Sequence, residues 1–159
     1  MQSASQPENR NSQSPEVKSA SDEVGILLAE LSQRNTKDVM GHEALRVLRL
    51  LWPSVFRVSS PRPLKIGIDK DIAATGKIPQ EFIKIGLRCY TRLDQYLEST
   101  RVGRARIGLD GKGHGKVRLD EAVNADLMLY DRYLRKNPPR AFVGQLRLAT
   151  ETEKNQPTY

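Results

Sequence analysis

The sequence predicts one mainly helical α/β domain with a small β-hairpin, lying between two unstructured tails. Three observations point there. Apolar residues recur at helical spacing in several central stretches, the period shortens around a glycine-rich turn, and both ends lack such periodicity. Size agrees, since 159 residues make one domain of about 100 to 150 residues plus tails.

In chain order, residues 1–20 are rich in Ser, Gln, Asn and Pro and carry hardly any large apolar side chain. Such a segment cannot offset the entropy of ordering, so it is expected to be a disordered tail. The folded domain is expected over residues 21–136. Residues 22–33 (DEVGILLAELSQ) place Val24, Leu27, Leu28 and Leu31 on one helical face behind an acidic first turn. Residues 38–51 repeat the pattern with Ala44, Leu45, Val47, Leu48 and Leu51, and Pro53 after Trp52 ends that helix. In the Pro-bracketed stretch that follows, Leu64, Ile66 and Ile68 alternate like a short strand, and Asp69 offers a helix cap. Residues 78–96 read as one or two helices with Pro79 in the first turn, where its missing amide proton costs nothing. Residues 104–109 and 116–119 have strand character around DGKGHG, which predicts a hairpin. Asp120 is expected to cap a last helix with Ala122, Ala125, Leu129 and Tyr133 on one face and basic residues in its final turn. Pro138 and Pro139 stop it, and residues 137–159 are expected to be a flexible tail.

Composition excludes several function classes. No run approaches the roughly 18 apolar residues of a membrane span, and the amino terminus lacks the basic start and apolar run of a secretory signal. A cytoplasmic, monomeric protein without membrane association is the expectation. The lone Cys89 forms no internal disulfide, and His42 and His114 are too few and too far apart for a zinc-type cluster or a catalytic triad. Neither metal, cofactor nor enzymatic activity is expected. The Gly111–Lys116 cluster fails as a phosphate-cradling loop, because Val117 stands where Ser or Thr would follow the lysine and no helix opens there.

Charge is the positive signal. The chain carries a net +7, and residues 62–118 hold thirteen Lys or Arg against six Asp or Glu, which is that entire excess. A field concentrated on one segment suits a polyanionic partner. Within it, Gln80, Lys84, Arg88 and Arg92 recur every four residues, a spacing at which like charges repel by a few tenths of a kcal/mol unless an anion intervenes. Tyr90 and Tyr96 lie near this row, where aromatic rings either stack on unpaired bases or pack in the core. Arg101, Arg104 and Arg106 lead into the hairpin, and alternation places Arg104 and Arg106 on one strand face, inviting phosphate or simply guarding an edge.

Three blocks in order, WPSVFRVSSPRPLKIGIDKDI, GLRCYTRLDQYL and ARIGLDGKGHGKV, resemble the RNA-binding domain of the FinO/ProQ family of bacterial RNA chaperones. The resemblance covers about residues 48–119, and PRPLKIGI is its most specific part. It implies a compact, mainly helical domain whose concave basic face binds the lower stem of a terminator-type hairpin and its single-stranded 3′ tail, in small-RNA regulation and without enzymatic activity. The RNA-contacting positions it implies are Arg62, Lys65, Lys84, Arg88, Tyr96 and Arg106. Thr91, as a hydroxyl for a pocket holding the 3′ tail, and Arg104, from its charge and strand position, complete the candidate RNA-binding set. This chain departs from the pattern at Gln80, Asp94, Gln95 and Gly108. Replacing Lys84 or Arg106 by Ala is then expected to weaken hairpin binding by roughly 1 to 3 kcal/mol without lowering stability. The alternative from another class is a protein-binding adaptor whose basic face docks an acidic partner or the ribosome. Duplex DNA is a weaker option, since no base-reading helix-turn-helix stands out.

Overall fold

The computed structural model describes residues 19–137; the expected tails, 1–20 and 137–159, lie almost wholly outside the described residues. Among these residues the chain forms α1 (Ala20–Ser32), a 3₁₀ turn (Thr36–Asp38), α2 (Gly41–Leu51), α3 (Ile68–Ala74), α4 (Gln80–Thr91), α5 (Asp94–Ser99), β1 (Ala105–Ile107), β2 (Gly113–Lys116) and α6 (Leu119–Lys136). The mainly helical α/β class with a two-stranded antiparallel sheet agrees with the expectation.

The central contact is α2 against α4. Gly86 makes it possible, because a Cβ there would stand 2.7 Å from Leu48 Cδ1 and 3.1 Å from the Ala44 carbonyl carbon. Around it α1 covers α2, α3 and α5 flank α4, and α6 packs on α5. Val47, Leu48, Ile72 and Ile83 are fully buried, and burial of each such side chain contributes about 1.5 to 3 kcal/mol. An edge-to-face aromatic row, Trp52, Phe56, Tyr90 and Tyr96, continues this core toward α5, with centroid distances of 6.5, 5.3 and 5.2 Å.

Several local expectations shift. Residues 64–68 make no strand: Leu64 is buried, Ile66 exposed, and Ile68 already belongs to α3. Instead, one parallel bridge joins Leu64 to Ile107 of β1, with Lys65 N–H donating to Ile107 O and Ile107 N–H to Pro63 O, both at 2.8 Å. Gly67, at φ 84°, then turns the chain into α3 through the left-handed region. The hairpin exists, but its second strand runs through GHGK and not residues 116–119; Leu119 opens α6 and is exposed. Its register, Ala105 opposite Lys116 and Ile107 opposite Gly113, contains an irregularity that absorbs the extra residue. Asp69 and Asp120 sit in the first turns of their helices, where they face the positive end of the dipole, while Gly67 and Arg118 hold the N-cap positions. Pro79 likewise lies just before α4. Of the expected α6 face, Ala122 and Ala125 are buried and Tyr133 is largely exposed.

Candidate nucleic-acid interface

The backbone of Leu64 is where three of the expected site segments meet. Its N–H donates to the Tyr96 hydroxyl of α5 at 3.0 Å, and its carbonyl accepts from Arg106 Nη1 of β1 at 2.8 Å. With the bridge to Ile107, these bonds fasten the PRPLK segment to the hairpin and to α5. Buried backbone groups need such partners, and each lost one leaves a desolvated dipole costing about 1 to 3 kcal/mol. The segment is therefore held rigidly, and Arg62 projects from it into solvent.

Arg106 is spent inside the protein. Its side chain is 11% exposed, with Nη2 at 2.6 Å from Glu121 of α6, Nη1 on Leu64, and Nε buried without a partner among the described residues. Glu121 in turn accepts the Arg118 N–H at 2.8 Å, so it closes the start of α6 and holds Arg106 with the same carboxylate. The Arg118 amide, reinforced by the Arg106 guanidinium, keeps the Glu121 carboxyl below its ordinary pKa. Arg104 does not share this environment: it precedes β1, is exposed, and donates from Nη1 to Ser99 O at 3.2 Å. The expected common strand face of the two arginines is absent because the strand begins only at Ala105. Arg106→Ala is therefore expected to lower stability as well as binding, since it orphans the Leu64 carbonyl and leaves the Glu121 carboxylate with the Arg118 amide but without its cation.

Both tyrosines are core residues. Tyr96 is 7% exposed with Tyr90 against its ring, so no base can stack on it as placed. Tyr90 is fully buried and donates its hydroxyl to Arg57 O at 3.0 Å; burial pushes its pKa up to about 12. Burial raises the Tyr96 pKa as well. Thr91 is half-buried and donates its hydroxyl to Leu87 O at 2.9 Å inside α4. Lys65 is half-buried, with Nζ 2.7 Å from Asp71 of α3.

Lys84 and Arg88, like Arg62, are the freest of the expected residues. Both stand exposed on α4, opposite its buried Phe82, Ile83, Gly86 and Tyr90, and neither forms an ion pair or side-chain hydrogen bond among the described residues. The arrangement is thus a fastened loop presenting Arg62, a helix presenting Lys84 and Arg88, and a clamp of buried Tyr96 with partly buried Arg106 and Glu121 beneath the loop. Glu121 was missed from sequence; its position three residues after Arg118 marks a helix start, but its second partner is not visible there.

Two departures from the family pattern have structural partners. Asp94 pairs with Arg132 and ties α5 to α6. A Cβ on Gly108 would stand 2.7 Å from His114 Cδ2, so the glycine leaves room for the ring that pairs with Asp110 at 3.0 Å. The Lys112 amide, followed by His114, lowers the Asp110 pKa. Among the described residues no group of His, Cys, Asp and Glu could hold a metal ion, and no helix is long and apolar enough to cross a membrane.

Comparison with known proteins gives one consistent result. A model of the ProQ/FINO family matches residues 39–141. The RNA chaperone ProQ of Shewanella oneidensis is 31% identical over 84 residues, covering 50% of this chain and 39% of that protein. The RNA chaperone ProQ of Aliivibrio salmonicida is 31% identical over 100 residues, covering 60% of this chain and 45% of that protein. The chain spans less than half the length of these relatives. Among solved structures, a ProQ homolog from Legionella pneumophila superposes with a TM-score of 0.51 at 21% identity, covering 60% of this chain and 85% of that one. A FinO-like RNA chaperone from Neisseria meningitidis gives 0.50 at 22%, covering 69% and 97%.

Proposed function

The chain belongs to the ProQ/FINO family, and from that premise we propose that it is an RNA-binding chaperone that grips hairpins bearing a single-stranded 3′ tail, acting post-transcriptionally on small RNAs and mRNA 3′ ends. The observation that carries this reading is the exposed cationic row Lys84 and Arg88, free of partners among the described residues, on a helix locked into the core by its opposite face. A-form RNA hides its major-groove edges, so a stem is recognised through phosphates and 2′-hydroxyls. Unpaired lysine and arginine on a rigid helix supply such contacts without a sequence preference, and the repulsion between them is relieved when phosphate binds. Arg62 adds a further cation from the clamped loop, while Tyr96, Arg106 and Glu121 act as positioning residues that fix where that loop lies.

Binding of a terminator-type hairpin, the same hairpin without its 3′ tail, and a form with a blocked 3′-hydroxyl tests the reading. The intact hairpin binds tightest, and Lys84→Ala and Arg88→Ala each weaken it by about 1 to 3 kcal/mol. Equal affinity for the three forms, or unchanged affinity in both variants, overturns the proposal.

A further inference from the structure

A second cationic surface is built mostly from residues outside the site described above, Arg46, Arg49, Arg57 and Arg132 among them. An open groove of about 900 Å³ runs between α1, α2, the segment after α2 and the start of α5, and Arg46, Arg49 and Arg57 line it. A smaller recess of about 370 Å³ adjoins it, bordered by Arg92, Asp94 and Arg132. The two share Val58 and Gln95 in their walls and so lie side by side, making one track of adjoining recesses. On α2 the spacing of His42, Arg46 and Arg49 puts them on the face opposite Ala44, Leu45, Val47 and Leu48, which are buried against the rest of the core. These arginines are exposed because the helix's other side is needed for packing.

Two carboxylates border the track, and both are occupied: Glu23 holds Arg46 at 2.6 Å, and Asp94 holds Arg132. Arg49, Arg57 and Arg92 remain exposed and without an ion pair or side-chain hydrogen bond among the described residues. Among the described residues the five cations lining the track are all arginines. Arginine forks onto phosphate and stacks its plane on bases, which a lysine ammonium does not. Pro53, Leu50 and Val58 add apolar wall between them, suited to the faces of unpaired bases and not to the backbone of an acidic peptide. The track also begins where the α4 row ends, since Arg92 follows Arg88 by one helical step and caps that helix in a helical conformation.

We propose that this arginine track holds the single-stranded RNA that lies 5′ of the hairpin whose stem is gripped at Lys84 and Arg88. The identity of the ligand as RNA rests on the function proposed above; the location of the track does not. The test compares the tailed hairpin with the same hairpin carrying a 5′ extension of roughly ten unpaired nucleotides, a length within the range such grooves accommodate. The wild-type protein binds the extended form more tightly. Arg49→Ala/Arg57→Ala binds the plain hairpin within about twofold of wild type, loses the added affinity of the extension, and shows a salt slope on the extended form lower by about two. Both positions are exposed, so the thermal unfolding midpoint stays unchanged.

Three results overturn the proposal: wild-type affinity of the double variant for both RNAs, equal losses on both, or displacement of the extension by polyglutamate as readily as by oligouridine. The last would mark an acidic-protein site. If instead Lys84→Ala/Arg88→Ala binds the plain hairpin normally, the function proposed above fails, while the affinity increment from the extension still reads the track by itself.

Discussion

Arginine and tyrosine have an apolar body and a polar tip, so the same residue serves solvent or core depending on what lies nearby. Arg106 and Lys84 separate on this point. Arg106→Ala removes a charge-assisted bond to Leu64 O and takes from Glu121 its cationic partner, leaving it only the Arg118 amide, and is expected to cost about 2 to 4 kcal/mol in urea unfolding. Lys84→Ala changes an exposed side chain with no partner among the described residues and is expected to leave stability within about 0.5 kcal/mol. A loss of RNA affinity in the Arg106 variant is therefore interpretable only beside its unfolding curve. Tyr96→Phe is the subtler probe: it keeps the ring against Tyr90 but withdraws the acceptor from the Leu64 amide. It should lower stability by about 1 to 3 kcal/mol, and it should loosen hydrogen-exchange protection at Leu64 and its neighbours; unaltered exchange there would disprove the clamp. At this scale the sequence showed which residues are cationic or aromatic. It could not show which of them the fold consumes.

The elements were legible wherever a helix has one apolar face. α1, α2, α4 and α6 fall within a few residues of their expected spans, because burying that face determines where each must lie. Residues 64–68 were misread because alternation of Leu64, Ile66 and Ile68 is equally compatible with one buried residue, one exposed residue and the start of a helix. The choice was made by β1, whose Ile107 pairs with Leu64 after three intervening helices, α3, α4 and α5. Contact between elements also turns on a residue with no side chain. Gly86→Ala should gain up to about 1 kcal/mol of helix propensity, yet its methyl would meet Leu48 and the backbone of Ala44 at 2.7 and 3.1 Å. Overpacking of this kind typically costs about 1 to 3 kcal/mol, so a net fall in the thermal midpoint is expected. A rise would show that α2 and α4 can move apart freely.

For the molecule as a whole, stability should form a plateau in pH bounded by two different sets of groups. Glu43, Asp110 and Glu121 have pKa values lowered in the fold, chiefly by the Arg34 guanidinium, the Lys112 amide and the Arg118 amide respectively. Their contribution is present above the ordinary carboxylate pKa of about 4 and is lost as pH falls through the lower native values. Tyr90 and Tyr96 are raised by burial, so theirs is present below pH of about 10 and is lost as pH rises toward the native values. Urea midpoints measured across pH should fall on both sides, with Glu121→Gln flattening the acid limb; an acid limb identical in that variant would remove Glu121 from this account. By itself the sequence determined the mainly helical class, the hairpin, and the concentration of positive charge in residues 62–118, because periodicity and composition are local properties of the chain. Tertiary structure alone decided that Tyr96 and Arg106 lie beneath the surface they were expected to form, and that Arg46, Arg49 and Arg57 share a groove with Gln95. Those outcomes depend on pairings between distant residues, such as the Leu64 carbonyl and the Arg106 guanidinium 42 positions later, which no local pattern encodes.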